Sequence, residues 1–171
     1  PADQQLLLKL SDLDADLARV QHTAQTLPQH KRINELMSAR QEVTDDLVSA
    51  NTELDDLRVA LRRAEADIVP VKARLERDSK RVEDGSVTDS KTLRGLIEEV
   101  ERIKRRIVDL EDVELELMGQ VETAEARQKG FEARKAEVEG ELREVVAERN
   151  EQVSELQSEA KQIGGTRSKV A

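Results

Sequence analysis

Apolar residues return along the chain in alternating steps of three and four, a rhythm that predicts helices with one buried seam. Leu6, Leu10, Leu13, Leu17, Val20, Ala24 and Leu27 keep it without an error. Pro28 then ends the first helix, because proline lacks a backbone N–H and disfavours helical geometry in the residue before it. The seam resumes one position out of phase through Ile33, Leu36, Val43, Leu47, Ala50, Leu54, Leu57, Leu61, Ala64, Ile68, Val71, Leu75 and Val82, with Arg40 and Asp78 as polar interruptions. Pro70 inside this run predicts a second, milder kink. Between Val82 and Leu93 the rhythm stops in EDGSVTDSKT, whose residues turn the chain or cap helices. A third stretch follows through Leu93, Leu96, Val100, Ile103, Ile107, Leu110, Leu117, Val121, Ala124, Phe131, Val138, Leu142, Val145, Leu156 and Ile163, capped by Asp89 or Ser90 and ended by Gly164 and Gly165.

The stretches before and after the single convincing turn are nearly equal in length. The expected fold is therefore all-α: a long antiparallel coiled-coil helical hairpin, kinked near Pro28 and mildly near Pro70. The expected organisation is one hairpin over 1–163, with helices at 3–27, 30–83 and 90–163, a turn at 84–89, and 164–171 as a linker or tail. A parallel dimer of continuous helices competes with this reading, but EDGSVTDSKT would then interrupt each helix to no purpose.

Composition narrows the function classes. With 38% charged residues, 1% aromatic and 37% hydrophobic, the chain has too little bulk for an ordinary globular core, and it is the periodicity that separates it from a disordered one. The absence of cysteine removes disulfides, thiolate nucleophiles and cysteine-held metals from these residues. Asp12, Asp14 and Asp16 have the spacing that opens a calcium loop, yet Leu17 stands where glycine is needed and Thr23 where glutamate is needed. His22 and His30 lack the spacing of paired ligands and read as helix-surface histidines. Paired carboxylates such as Asp45 and Asp46, or Glu98 and Glu99, have no water-excluding pocket on a helical hairpin. The chain is expected to be no enzyme and to need no cofactor of its own. Neither a bilayer-length apolar run nor a signal-peptide layout is present, so a cytoplasmic location and no membrane partner are expected.

Cations gather at the turn. From Val71 to Arg94, seven of them stand against five acids. The candidates for partner binding are Arg77, Lys80, Arg81, Lys91 and Arg94, with Gly85 and Ser90 as turn residues. A net charge of -9 and the lack of stacking aromatics point to a protein partner ahead of nucleic acid. Binding of RNA or DNA through the basic turn is kept as the alternative, and side-by-side pairing into a homodimer is compatible with the pattern.

Arg77, Asp78, Arg81 and Gly85, then Ser90, Lys91 and Leu93, then Glu99, Arg105, Arg106, Leu110, Glu111, Glu114, Glu116 and Met118 follow a recurrent pattern of polar and apolar positions around a hairpin turn. In them the chain resembles a bacterial family that joins a coiled-coil hairpin to a C-terminal four-cysteine zinc ribbon, and Leu27-Pro28 upstream extends the likeness. The resemblance implies a non-enzymatic interaction module or scaffold that presents the ribbon to partners. Some members are linked to flagellar gene control through a sigma factor or a messenger RNA. Zinc is expected only with such a ribbon, for which GGTRSKVA would serve as the linker.

Overall fold

Three helices account for nearly all of residues 1–171, which the computed structural model describes in full: α1 (Ala2–Gln25), α2 (Pro28–Glu83) and α3 (Ser90–Val170). They form a helical hairpin with a kink at Thr26 and Leu27. The chain divides into two compact units, where the sequence pattern leads one to expect a single body. One holds the turn and comprises Asp46–Glu132; the other comprises Pro1–Asp45 and Ala133–Ala171.

The seam residues become the core. Val20, Leu27, Ile33, Leu36, Val43, Ala50, Leu54, Ile68, Val100, Ile103, Ile107, Ala124 and Val138 are the buried apolar residues. Every one belongs to the three-and-four rhythm, as expected if burial of one stripe, rather than helix propensity, holds long helices in water. Around the turn, Ile68, Ile103 and Ile107 pack together with Val71, Leu75 and Leu110 against them. The two expected interruptions behave differently. Asp78 is buried in the seam, whereas Arg40 stays exposed beside a half-buried Ala39.

At the kink, Pro28 opens α2 rather than merely closing α1. Its fixed φ suits the first helical position, where no N–H is needed. The last turn of α1 is tied off by the Thr26 N–H donating to the His22 carbonyl at 3.0 Å and the Thr26 Oγ1 donating to the same oxygen at 2.8 Å. Across the break, His30 Nε2 lies 2.9 Å from the Ala24 carbonyl. With an acceptor facing it, this nitrogen carries the proton. At Pro70, by contrast, α2 continues unbroken. The carbonyl of Ala66 loses its helical partner there, because proline has no N–H to donate, and Ala66 is an exposed residue.

Two expected boundaries need correction. The second helix begins at Pro28, not at residue 30, and α3 does not stop at Ile163 but runs through Gly164 and Gly165 to Val170. Each glycine weakens a helix by about 1 kcal/mol relative to alanine. Here packing overrides that local preference: Ile163 and Val170 are half-buried, and Arg167 Nε donates to Asp14 of α1 at 2.7 Å. Residues 164–170 thus belong to α3.

Within the turn-bearing unit, ion pairs define two edges along the seam. On one edge, each partner lies one residue after a seam position: Arg58 with Glu125 at 3.2 Å and Lys72 with Glu111 at 3.4 Å. On the other, each lies one residue before, the slot after Arg127 being held by the polar Gln128: Glu53 with Arg127 at 3.3 Å and Arg74 with Glu99 at 2.7 Å. These four pairs place α2 against α3 in antiparallel register, because partner numbers fall on α2 as they rise on α3.

Candidate functional site

The turn spans 84–89 and is built by three local devices. Gly85 takes φ +73°, the left-handed conformation that glycine adopts without a Cβ penalty. Asp84 Oδ1 accepts the Ser86 backbone N–H at 2.9 Å. Asp89 then caps α3, its Oδ2 accepting from Thr92 Oγ1 at 2.6 Å and from the Thr92 N–H at 2.8 Å. That satisfies one of the donors left open at a helix start.

These bonds hold the turn carboxylates in their charged form. The Thr92 hydroxyl, and then its N–H, lower the Asp89 pKa below the usual carboxylate value. The Ser86 hydroxyl and N–H do the same for Asp84. Farther along α3, Glu99 is lowered first by hydrogen bonding from Arg102, with Nη2 at 2.5 Å, and further by the charge of Arg74. Glu99 thereby ties Arg102 on its own helix to Arg74 on α2, and the Nε of Arg74 lies 3.7 Å from buried Asp78. Beneath the turn, Arg77, Asp78, Arg74, Glu99 and Arg102 thus form one continuous run of ion pairs.

Against this background the five candidate cations separate into two groups. Arg77 is engaged with Asp78 at 3.6 Å, and Lys80 with Glu76 at 3.5 Å. Arg81, Lys91 and Arg94 are exposed and make no ion pair. The structure brings all five to the turn end of the hairpin, but only these three make no ion pair with another side chain. Gly85 and Ser90 serve the turn geometry, at its bend and at the first position of α3. Glu76 at i–4 from Lys80 and Asp78 at i+1 from Arg77 accompany the two paired cations, but Arg94 has Glu98 at i+4 and makes no ion pair, so sequence spacing alone does not separate the two groups.

No three His, Asp or Glu side chains converge to hold a metal. The residues present therefore do not fit a zinc site, and a four-cysteine ribbon would hold its metal wholly through residues outside 1–171. No helix is long and apolar enough to cross a membrane.

Residues 10–171 match a family model described as the CT398-like coiled coil hairpin domain. Uncharacterized protein MT2288 of Mycobacterium tuberculosis is 33% identical over 127 residues, covering 74% of this chain and 51% of that protein. Uncharacterized protein ML1638 of Mycobacterium leprae is 32% identical over 109 residues, covering 64% of this chain and 47% of that protein. The chain thus spans about half the length of the curated relatives it matches. A solved structure from Mycobacterium smegmatis superposes with a TM-score of 0.81 at 31% identity, covering 99% of this chain and 70% of that one. The HP0958 protein from Helicobacter pylori shares the fold, with a TM-score of 0.65 at 14% identity over 99% of this chain and 70% of that one.

Proposed function

Because the chain belongs to the CT398-like coiled coil hairpin domain family, we propose that it is a non-enzymatic interaction module: a helical scaffold whose turn docks to an acidic surface on a partner protein. The observation that carries this reading is the trio Arg81, Lys91 and Arg94, exposed and without ion pairs at the turn, where the neighbouring Arg74, Arg77 and Lys80 are each paired with an acid. Unpaired cations on a rigid support give a partner charge complementarity without first breaking an internal bond. In the full-length protein the hairpin would also present a C-terminal zinc ribbon. The greater length of the relatives accommodates such a domain.

The test places a photo-crosslinking amino acid at Ser86 in bacterial cells, with Glu148 as a control position. A protein adduct from Ser86 that disappears in Arg81→Ala/Lys91→Ala/Arg94→Ala, with helicity unchanged, supports the reading. An RNA adduct that survives washing at about 150 mM salt would favour nucleic acid instead. No adduct specific to Ser86 would overturn both.

A further inference from the structure

We propose that the edge of the turn-bearing unit marked by the Arg58–Glu125 and Lys72–Glu111 pairs is the docking surface for a second copy of this chain, paired antiparallel along α3. This surface shares only Arg94 with the turn cations; its other residues are distinct from them, and it does not rest on docking by the turn.

The unit exposes eight large apolar side chains: Val48, Val59, Val69, Ile97, Val108, Val113, Leu115 and Met118. Scattered exposed apolar residues need no explanation. These are not scattered, because six of the eight sit one residue after a seam position. Val48 follows Leu47, Val69 follows Ile68, Ile97 follows Leu96, Val108 follows Ile107, Leu115 follows the seam position at Glu114, and Met118 follows Leu117. That is the register of Arg58, Lys72, Glu111 and Glu125, so the six share their edge. The opposite edge has Val113 alone.

On α3 the stripe reads Ile97, Glu101, Lys104, Val108, Glu111, Leu115 and Met118, again in steps of four and three. It is a second seam, shifted by one residue from the buried one. Ile97, Val108, Leu115 and Met118 are 44%, 56%, 64% and 48% exposed, and α3 exposes no large apolar side chain beyond Met118. A groove of about 190 Å³, lined in part by Val82, Ile97, Glu101 and Lys104, opens at the turn-proximal end of the stripe.

Charge selects the occupant. When α3 is laid antiparallel on its own copy with the two-fold axis between Arg102 and Ile103, Ile97 meets the partner's Val108, Glu101 meets the partner's Lys104, and Arg94 meets the partner's Glu111. Symmetry repeats each pair, giving two apolar and four opposite-charge matches from one register. The intrahelical Glu101–Lys104 contact at 3.4 Å is exposed and weak, so both charges are free to re-pair across the axis.

Sedimentation of the 171-residue chain at about 100 µM reads the result. A dimer is expected, and Val108→Asp should return it to monomer with helicity intact, because Val108 lies outside the core. Glu101→Lys and Lys104→Glu should each weaken dimerisation by about tenfold or more by facing like charges across the axis. An equimolar mixture of these two variants should recover the dimer, since each then presents the charge the other lacks. A monomeric wild-type chain would overturn the proposal in favour of a foreign partner or bare exposure. A dimer indifferent to all three variants, or a mixture that stays monomeric, would overturn it by placing the contact elsewhere.

Discussion

Asp78 is the only charged residue buried in the chain, at 5% exposure in the middle of an apolar seam. Replacing it with leucine weighs two effects against each other. The loss is two long ion pairs, to Arg74 Nε at 3.7 Å and Arg77 Nε at 3.6 Å, whose arginines are 52% and 68% exposed. Exposed partners of this kind contribute about 0–1 kcal/mol each. The gain is burial of a leucine side chain, about 1.5–3 kcal/mol, together with relief from keeping a carboxylate out of water. Fitting the larger side chain takes back part of this. The balance favours Asp78→Leu by about 1–2 kcal/mol. Urea unfolding followed by circular dichroism should show a higher midpoint at an unchanged slope. A variant less stable by more than about 1 kcal/mol would refute the reasoning, because the long contacts to Arg74 and Arg77 would then outweigh apolar burial. A polar seam residue also restricts register, so the stabilised variant should show broader pairing in crosslinking than the wild type.

Leu54→Ala, at a fully buried position, should cost about 2–5 kcal/mol, whereas Leu115→Ala at 64% exposure should stay within about 0.5 kcal/mol in the monomer; equal losses in urea titration would contradict the placement of the seam. Gly85→Ala places a side chain at φ +73° and should destabilise the hairpin by about 1–2 kcal/mol, measurable as a shift in midpoint. Gln29 Oε1 is buried without a hydrogen-bond partner, so Gln29→Met should be neutral or stabilising, and a clear loss of stability would reveal a partner for that oxygen. Asp84, Asp89 and Glu99 all have lowered folded pKa values, so their contribution is complete above the ordinary carboxylate values near pH 4 and is lost as pH falls through the lower folded ones. The Thr92 amide should report this by NMR with a midpoint below that of an unfolded aspartate; a midpoint at or above it would remove the cap from the account.

The seam is legible because burial on a helix repeats, and repetition survives in the sequence. Every buried apolar residue from Val20 to Val138 lies on the rhythm, and the turn chemistry at Asp84, Gly85 and Asp89 identifies where the chain reverses. The end of α3 is not legible, because Gly164 and Gly165 signal a stop locally, while the Arg167–Asp14 bond that holds the helix beyond them joins residues far apart in sequence. Which turn cations are free is hidden for a related reason, since pairing depends on side-chain reach as well as spacing. The stripe of Ile97, Val108, Leu115 and Met118 is present in the sequence but lies one residue beside a stronger seam. Because the stronger seam alone accounts for the helix, the weaker stripe passes for ordinary surface.

The hairpin requires α2 to pair with α3 of the same chain in antiparallel register. The sequence has no cysteine, so Glu53→Cys/Arg127→Cys introduces the only two thiols at an edge where the native side chains meet at 3.3 Å. A short bis-maleimide should join them within one chain, at a yield independent of protein concentration. Moving one thiol by about ten residues, roughly 15 Å along the helix, should abolish the product. Crosslinks found only between chains, as continuous helices in a parallel dimer would give, would contradict the hairpin.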